Sequence, residues 1–368
     1  MENKKFAKYP VLLVNKSKLQ HNIKTVKATC ESQGIHLAGI IKGFNGILGA
    51  VEEFQLAGCA QIGSSRIEQI MDARNAGIEA KYMMIRIPML SEVEDIVRWA
   101  DMSLNSENVV ISKIQEECVK QNKRHGIVLM ADLGDLREGY WDKDELVEEA
   151  VRIENELDML DLLGVGTNLG CYGSINPTRQ NMEELCEIAR RVEERIGRKL
   201  EIVSGGASTS YPLVLAHDMP EGINHLRIGE AITLAYDLKE IYNLDDGGLH
   251  TDCFMLQSEI IEIKDKPTHP VGEIFVDCYG SKPTYIDRGI RKRALVAMGR
   301  LDYALLEKII PMDKGVALVG SSSDHTIVDI HDCEQEWKVG DILTFALTYP
   351  SLMYLSGNRY VNIMFADD

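Results

Sequence analysis

Eight short apolar segments recur through the first two thirds of the chain, and they constrain the fold more than any other feature. Each is rich in Val, Ile, Leu or Met and is followed by a longer stretch with helical spacing and a charged face, the pattern of repeated β/α units. Eight parallel strands are the number that closes a barrel. After an opening strand at 11–15, the segments are 37–42, 60–64, 82–87, 102–105, 126–132, 162–168, 200–205 and 224–229.

The pattern changes after about residue 240. Strand-like segments punctuated by Gly, Pro and Asp replace the helical spacing, among them 254–263, 273–279 and 341–347. We therefore predict two domains, an α/β domain at 1–240 and a mainly β domain at 241–368. The alternation in the first domain fits a (β/α)8 TIM-type barrel, and an open, doubly wound sheet has the same alternation.

Composition narrows the class of protein. Hydrophobic residues make up 45% of the 368 residues and charged residues 26%, which is typical of a folded globular chain. The 57 Asp and Glu against 40 Lys and Arg give a formal net charge of −17, which disfavours nucleic acid and anionic membranes as partners. The eight cysteines show no C-x-x-C pair or zinc-ligand spacing. We expect reduced thiols, no metal site and a cytoplasmic location.

In a barrel the functional residues follow the carboxyl ends of the strands, and polar residues stand there in this chain. Lys42 ends the first of the eight segments and is followed by Gly43 and Gly46. We therefore expect its amine at the barrel mouth, the open end formed by the carboxyl ends of the strands, with few side chains covering it. A lysine in a half-buried pocket has a lowered pKa and can form a Schiff base. A strand-end lysine that simply reaches solvent is the other interpretation.

Two glycine-containing turns follow the seventh and eighth segments. Glycine permits the close approach of an anion, serine supplies donors, and this fold commonly binds phosphate at these two loops. Together with Lys42, such a phosphate cradle points to pyridoxal 5′-phosphate as the cofactor. The candidate cofactor-binding residues here are Ser204, Gly205, Gly206, Ala207 and Ser208 in the first turn, and Arg227, Gly229 and Glu230 around the second.

The order of these residues resembles the alanine racemase type of pyridoxal-phosphate enzyme, a (β/α)8 barrel followed by a β domain, over essentially the whole chain. The resemblance is carried by AGIIKGFNG around Lys42, by Asp132-Leu133-Gly134 with Arg137 and Gly139, and by HLRIGEAI around Arg227. GVGTNLGCYG and SGGASTS resemble the ornithine racemase branch of that family. The resemblance implies racemisation of ornithine or lysine, with an alanine or broad-specificity racemase as the alternative.

The resemblance also implies residue roles. Lys42 carries the cofactor and serves as the base on one face of the substrate, and Arg227 meets the pyridine nitrogen without giving up its proton. Arg137 contacts the substrate carboxylate or orients the catalytic groups. Asn168 stands where the family has a histidine against the cofactor ring, and it is assigned only a positioning role because an amide does not titrate near neutral pH.

The second domain departs from the family. Alanine racemases carry a G-Y-A-D-G motif whose tyrosine, from the partner subunit, is the opposite-face base, and this chain has Gly299-Arg300-Leu301-Asp302-Tyr303 there. Tyr303 is our candidate for that base, with Tyr279 and His325 as alternatives. A substrate with a distal ammonium needs an acidic partner, for which Asp324 is our candidate beside Asp135, Glu138 and Asp302. The resemblance implies a homodimer with active sites at the interface.

Two other functions remain open at this point. A non-catalytic pyridoxal-phosphate carrier shares the barrel and its lysine, but a β domain of about 120 residues argues against it. A decarboxylase of the same fold has a cysteine-containing C-terminal segment and an E-P-G-R motif, and neither is present in this chain.

Overall fold

The computed structural model describes residues 8–244 and 247–367. The chain divides into two compact units, Lys18–His250 and a second that joins the residues up to Ser17 with those from Thr251 onward. The first strand, β1, spans Val11–Asn15. Within the described residues, no helix is both long enough and apolar enough to cross a membrane.

Eight parallel strands close into a barrel in the first unit, as the sequence predicted. Every neighbouring pair around the ring is hydrogen-bonded in parallel, and the last strand pairs with the first. The barrel strands are β2 (His36–Ile40), β3 (Gln61–Ser64), β4 (Lys81–Met84), β5 (Met102–Asn105), β6 (His125–Met130), β7 (Leu160–Gly166), β8 (Ile202–Ser204) and β9 (His225–Ile228).

Helices alternate with these strands, and their ends follow local sequence signals. The Asp142 carboxylate caps the sixth helix by accepting the N–H of Asp144 at 2.8 Å, and Thr178 caps the seventh, which ends at Gly197 with φ +74°. The helices are α1 (Lys16–Glu31), α2 (Leu48–Leu56), α3 (Ile67–Asn75), α4 (Val93–Trp99), α5 (Asn108–Gln121), α6 (Lys143–Glu156), α7 (Arg179–Ile196), α8 (Tyr211–Leu215), α9 (Glu230–Thr233) and α10 (Tyr236–Glu240).

Large apolar side chains fill part of the barrel interior. Met83, Met102, Leu104, Val128 and Met130 are buried together in one cluster that draws on β4, β5 and β6. This packing makes the middle of the barrel a core and not a pore, so the polar residues of the first unit collect at the strand ends. Short 3-10 turns follow two of those ends, at Lys42–Phe44 and Ser208–Ser210.

The second unit is a mainly antiparallel sheet, which also agrees with the prediction. The elements are β10 (Phe254–Pro267), β11 (Ile290–Val296), α11 (Arg300–Tyr303), β12 (Ile309–Pro311), β13 (Ala317–Ser321), β14 (Thr326–Asp329), β15 (Ile342–Leu347), α12 (Tyr349–Ser356) and β16 (Asn362–Ala366). The strand order is β12-β15-β10-β11-β14-β13, and β1 adds to the sheet by pairing antiparallel with β10 and parallel with β16.

Two details differ from the sequence prediction. The division between the units falls at 250/251 and not at 240/241, and the opening strand belongs to the C-terminal sheet because its backbone hydrogen bonds go to β10 and β16. The strand predicted at 273–279 is irregular, and Phe275 is exposed. Its apolar residues have strand propensity, but no strand in the described part of the chain pairs with that segment, and a strand needs a partner to satisfy its backbone.

Candidate active site

Lys42 lies just past the end of β2, at the start of a 3-10 turn. The turn closes through Asn45 in the left-handed conformation and Gly46 at φ +65°, where a Cβ would come within 3.0 Å of the Gln69 side chain. Burial lowers the pKa of the Lys42 amine below its ordinary value, and Cys171 is the titratable neighbour with the largest electrostatic effect on it. A larger fraction of the amine is therefore neutral, and neutral amine is the form that attacks a carbonyl carbon.

Arg227, on β9, is a buried cation at the same mouth. It is only 4% exposed, its Nη2 donates to the Thr167 carbonyl at 2.8 Å and its Nη1 donates to Ser204 Oγ. No carboxylate in the described part of the chain lies within ion-pair distance of it, and its remaining N–H donors have no protein partner there. Burial lowers its pKa to about 10, so the guanidinium keeps its charge at neutral pH and has donors free for a ligand.

A hydrogen-bond chain behind Arg227 fixes the orientation of its guanidinium. Ser204 Oγ lies 2.9 Å from His225 Nδ1, and His225 Nε2 lies 2.8 Å from Gln61 Oε1. Because arginine only donates, Ser204 accepts from Arg227 and turns its own hydrogen toward His225 Nδ1. Burial lowers the pKa of His225 to about 3, so this histidine is neutral and donates from Nε2 to Gln61.

The sequence interpretation missed this chain and assigned Ser204 to the cofactor. In the structure the Ser204 hydroxyl is already engaged by Arg227 and His225, which gives it a positioning role through Arg227. A sequence signal for it did exist. His225 and Arg227 are two residues apart on one strand, so their side chains share the interior face of the barrel.

The turn after β8 has the features of an anion cradle. Gly206 has φ +116°, and the N–H groups of Gly206, Ala207 and Ser208 have no hydrogen-bond partner among the residues that the structure describes. Ser208 Oγ accepts the N–H groups of Gly229 and Ala231 at 3.2 Å each, which ties this turn to the one after β9. Unpaired backbone N–H groups beside glycine are what a phosphate requires.

Glu230, predicted to bind the cofactor, has another task. One carboxylate oxygen accepts the N–H of Tyr236 at 3.1 Å and of Asp237 at 3.3 Å, so Glu230 caps α10. Burial is the main cause that raises the pKa of this carboxyl to about 8. The oxygen that makes these two hydrogen bonds is therefore directed at the start of α10.

The loop after β6 presents Arg137. Asp132 Oδ1 organises this loop by accepting the N–H of Gly134 at 2.9 Å and of Leu136 at 3.1 Å. Arg137 forms an ion pair with Glu138, with Nη2 2.6 Å from Oε1, and its Nη1 has no partner among the described residues. Arg137 acts electrostatically on both Lys42 and Arg227. It therefore lies near both, with one donor edge available for an anionic substrate group.

The loop after β7 is held by Asp135 from the β6 loop. The Asp135 carboxylate is 1% exposed and accepts the N–H of Gly170 and of Tyr172, both at 3.0 Å. This corrects the idea that Asp135 receives a distal ammonium, because its oxygens are occupied by backbone donors. In the same loop Asn168 Nδ2 donates to Cys171 Sγ at 3.0 Å. Cys171 is exposed, and the sequence had predicted only that the cysteines are reduced thiols.

Tyr303, the predicted second base, lies in the interior of the C-terminal unit. Its side chain is 0% exposed, and its hydroxyl is 2.6 Å from Thr326 Oγ1. Thr326 Oγ1 in turn donates to the Met298 carbonyl at 2.9 Å, so the tyrosine O–H is the donor to Thr326. Burial raises the pKa of Tyr303. The hydroxyl is thus part of the core and is not available to a substrate.

The other candidates in the C-terminal unit are at its surface. Asp324 is in the turn between β13 and β14, where it accepts from Ser323 Oγ at 2.5 Å, and His325 is exposed beside it. Tyr279 is exposed in the irregular segment, with the Arg300 guanidinium 4.0 Å from its ring centroid. These positions leave Asp324 available to bind a cation and Tyr279 engaged in a cation–π contact.

Comparison with known proteins places the chain among racemases. Residues 14–237 match the family described as alanine racemase, N-terminal domain. The ornithine racemase of Acetoanaerobium sticklandii is 38% identical over 356 residues, which cover 96% of this chain and 98% of that protein. The lysine racemase of Thermotoga maritima is 37% identical over 353 residues, which cover 96% of this chain and 97% of that protein.

Solved structures agree on the fold. An alanine racemase from Clostridium difficile 630 superposes with a TM-score of 0.77 at 18% identity, covering 99% of this chain and 97% of that one. The alanine racemase of a D-cycloserine-producing Streptomyces lavendulae gives a TM-score of 0.75 at 17% identity, covering 98% of each chain. Both show the architecture of a barrel followed by a β domain.

Proposed function

The chain belongs to the alanine racemase family, and from that premise we propose that it is a pyridoxal-phosphate-dependent racemase that interconverts L- and D-ornithine. The observation that carries the choice of substrate is the identity of 38% and 37%, over 96% of the chain, to relatives named for ornithine and lysine. Both of those amino acids have an ammonium at the end of the side chain. Lysine is accordingly the second candidate substrate.

The residues at the mouth of the barrel fit the cofactor. Lys42 offers a half-buried amine with a lowered pKa, the turn at 206–208 offers unpaired N–H groups for a phosphate, and Arg227 offers unused donors without a carboxylate partner. When bound, pyridoxal phosphate withdraws electrons from the substrate Cα and so makes its proton removable. The packing of the barrel does not require a buried cation, a half-buried amine and a turn rich in N–H donors. Their presence at the ends of three strands of one barrel supports a cofactor site.

Lys42 and Arg227 have different roles in the proposed reaction. On its own face of the substrate, Lys42 would remove the Cα proton as the neutral amine and return a proton as the ammonium. Arg227 would donate a hydrogen bond to the pyridine nitrogen of a bound cofactor and, because guanidinium does not release its proton near neutral pH, would leave that nitrogen unprotonated. This limits how far electrons are withdrawn, which favours proton exchange over transamination and decarboxylation.

Arg137 and its neighbours bind the substrate. The free Nη1 edge of Arg137 is assigned to the substrate carboxylate, and Asn168 positions groups on the β7 side. We assign the distal ammonium to an acidic residue, either Glu138 in the β6 loop or Asp324 in the C-terminal unit. By the family pattern, we further propose a homodimer whose interface completes the two sites.

A matched set of amino acids tests the substrate assignment. We expect kcat/KM to be highest for L-ornithine, close behind for L-lysine, and lower by about tenfold to 10²-fold for L-norvaline, which has the same carbon chain as ornithine without the ammonium. L-Alanine should be lower still. Enantiomer-resolved chromatography of timed reactions gives the rates. Equal rates for norvaline and ornithine would remove the acidic subsite from the proposal, and cofactor binding without turnover of any amino acid would favour the carrier function.

A further inference from the structure

Racemisation by a two-base mechanism uses an acid–base group on each face of the substrate Cα. Lys42 serves one face. The tyrosine that the sequence suggested for the other face, Tyr303, is buried in the core of the C-terminal unit with its hydroxyl donated to Thr326. Tyr303 therefore does not provide the proton carrier for the second face.

Cys171 stands across the barrel mouth from Lys42. It follows β7, and in the ring of strands β8 and β9 separate β7 from β2, which carries Lys42. Its thiol is exposed, and no titratable neighbour has a larger electrostatic effect on the Lys42 amine. Cys171 also acts on Arg227 and on Arg137. The sulfur is thus within electrostatic reach of the three cationic side chains to which we assign cofactor and substrate.

The loop that carries Cys171 is built to hold its place. The buried Asp135 carboxylate accepts N–H groups on both sides of Cys171, from Gly170 and from Tyr172, and a third from Ile175 at 3.4 Å. Gly173 packs against Asp135 so closely that a Cβ there would lie 2.6 Å from the Asp135 carbonyl oxygen. These contacts fix the backbone on both sides of Cys171.

Asn168 completes the arrangement. Its Nδ2 donates to Cys171 Sγ at 3.0 Å, and this contact fixes the direction of the sulfur. A thiol and its thiolate exchange a proton without any metal or second residue. Cys171 therefore has the chemistry, the position and the orienting partner that a proton carrier requires.

We propose that Cys171 is the acid–base residue for the face of the substrate Cα opposite Lys42, oriented by Asn168. The inference rests on the proposed racemase function. In one direction the Cys171 thiolate takes the Cα proton, the electron pair of the broken C–H bond stays with the substrate and cofactor, and the Lys42 ammonium donates a proton to the same carbon from the other face. The enzyme ends with a Cys171 thiol and a neutral Lys42, which is the state that catalyses the reverse direction.

Deuterium exchange distinguishes this role from a structural one. In Cys171→Ala and Cys171→Ser we expect racemisation of ornithine to fall by about 10²- to 10⁴-fold. In D₂O the enantiomer whose Cα–H faces Lys42 should still acquire deuterium with retention of configuration, at a rate that falls far less than racemisation does, while the other enantiomer acquires none. Serine keeps the shape and an acceptor for Asn168, so recovery of racemisation in Cys171→Ser would show a structural role and overturn the proposal.

A second readout uses the enzyme without cofactor. In a Cys278→Ser background, which removes the other exposed cysteine of the described chain, iodoacetamide should alkylate Cys171. Asn168→Ala should slow that alkylation by about fivefold, the effect of losing one ordinary hydrogen bond to the reactive thiolate. Adding pyridoxal phosphate and ornithine should protect the thiol. Alkylation that neither Asn168→Ala nor ligands affect would place Cys171 outside the site.

Failure of the inference and failure of the proposed function give different results. Cys278→Ser alone should racemise ornithine at the wild-type rate, since it removes an exposed thiol from the irregular segment of the C-terminal unit. If wild type and Cys171→Ala racemise ornithine equally well, the inference is overturned and the proposed function stands. Wild type that binds cofactor but exchanges no Cα proton of either enantiomer would overturn both.

Discussion

Lys42→Ala is expected to abolish the long-wavelength absorbance of the bound cofactor and to lower racemisation by about 10⁴-fold or more. Under the proposed function two tasks would be lost together, because the same amine would hold the cofactor aldehyde and carry the proton on one face of the substrate. Its pKa is lowered by burial, which supplies the neutral amine both tasks need. Absorbance spectra of the purified variant with added pyridoxal phosphate, and chromatographic rates with L-ornithine, measure the two effects separately.

Lys123→Ala is the matched control. Lys123 is also a partly buried lysine with a pKa lowered by burial, but it precedes β6 at the amino ends of the strands, where its Nζ donates to the Arg98 and Ala100 carbonyls. This variant should keep the cofactor band and the racemase rate even if its stability falls. A Lys42→Ala enzyme with an unchanged band would show that another lysine holds the cofactor.

Arg227→Gln is expected to lower kcat by about 10²- to 10³-fold and to change the products. Glutamine keeps an N–H donor for Ser204 or Thr167 but removes the buried charge. Without the guanidinium, the pyridine nitrogen of a bound cofactor would no longer be kept unprotonated. Stronger electron withdrawal would then favour transamination, in which the bound cofactor takes the amino group and becomes the pyridoxamine form, so up to one equivalent of oxo acid per bound cofactor should form beside D-ornithine. The measurement is the ratio of oxo acid, from a coupled reductase assay, to racemised amino acid.

Arg86→Gln provides the comparison for that ratio. Arg86 also follows a barrel strand, β4, but it is paired with Glu92 through Nη2 at 2.7 and 2.8 Å. Its loss should cost stability without raising the share of oxo acid. An unchanged product ratio in Arg227→Gln would mean that Arg227 does not control the protonation of the cofactor.

The barrel and much of its mouth follow from local sequence. Eight buried strands produce eight apolar segments with helical stretches between them, and parallel strands bring their carboxyl ends to one face, so Lys42, the 206–208 turn and Arg227 could be assigned to the same mouth before any coordinates. The β/α alternation did not decide between a closed and an open sheet. Closure depends on the pairing of β2 with β9, a contact between segments far apart in the chain that no local pattern encodes.

The errors in the site have the same origin. Whether Ser204 meets a phosphate or an arginine, and whether Glu230 meets a ligand or the N–H groups of α10, depends on side-chain direction in the folded barrel. Tyr303 was chosen by its place in a motif, and only the fold shows that its hydroxyl is buried against Thr326. Cys171 was overlooked because a single cysteine in a sequence carries no sign of the side chains that will surround it.

The most direct test of the account is circular dichroism of ornithine incubated with the cofactor-loaded enzyme, started from each enantiomer. The account predicts that the signals of L-ornithine and D-ornithine both decay to zero, because a racemase brings either enantiomer to an equal mixture, and that Lys42→Ala leaves both unchanged. A steady signal from wild type that carries the lysine-dependent absorbance band would contradict it, and would leave a cofactor-binding barrel without racemase activity on ornithine.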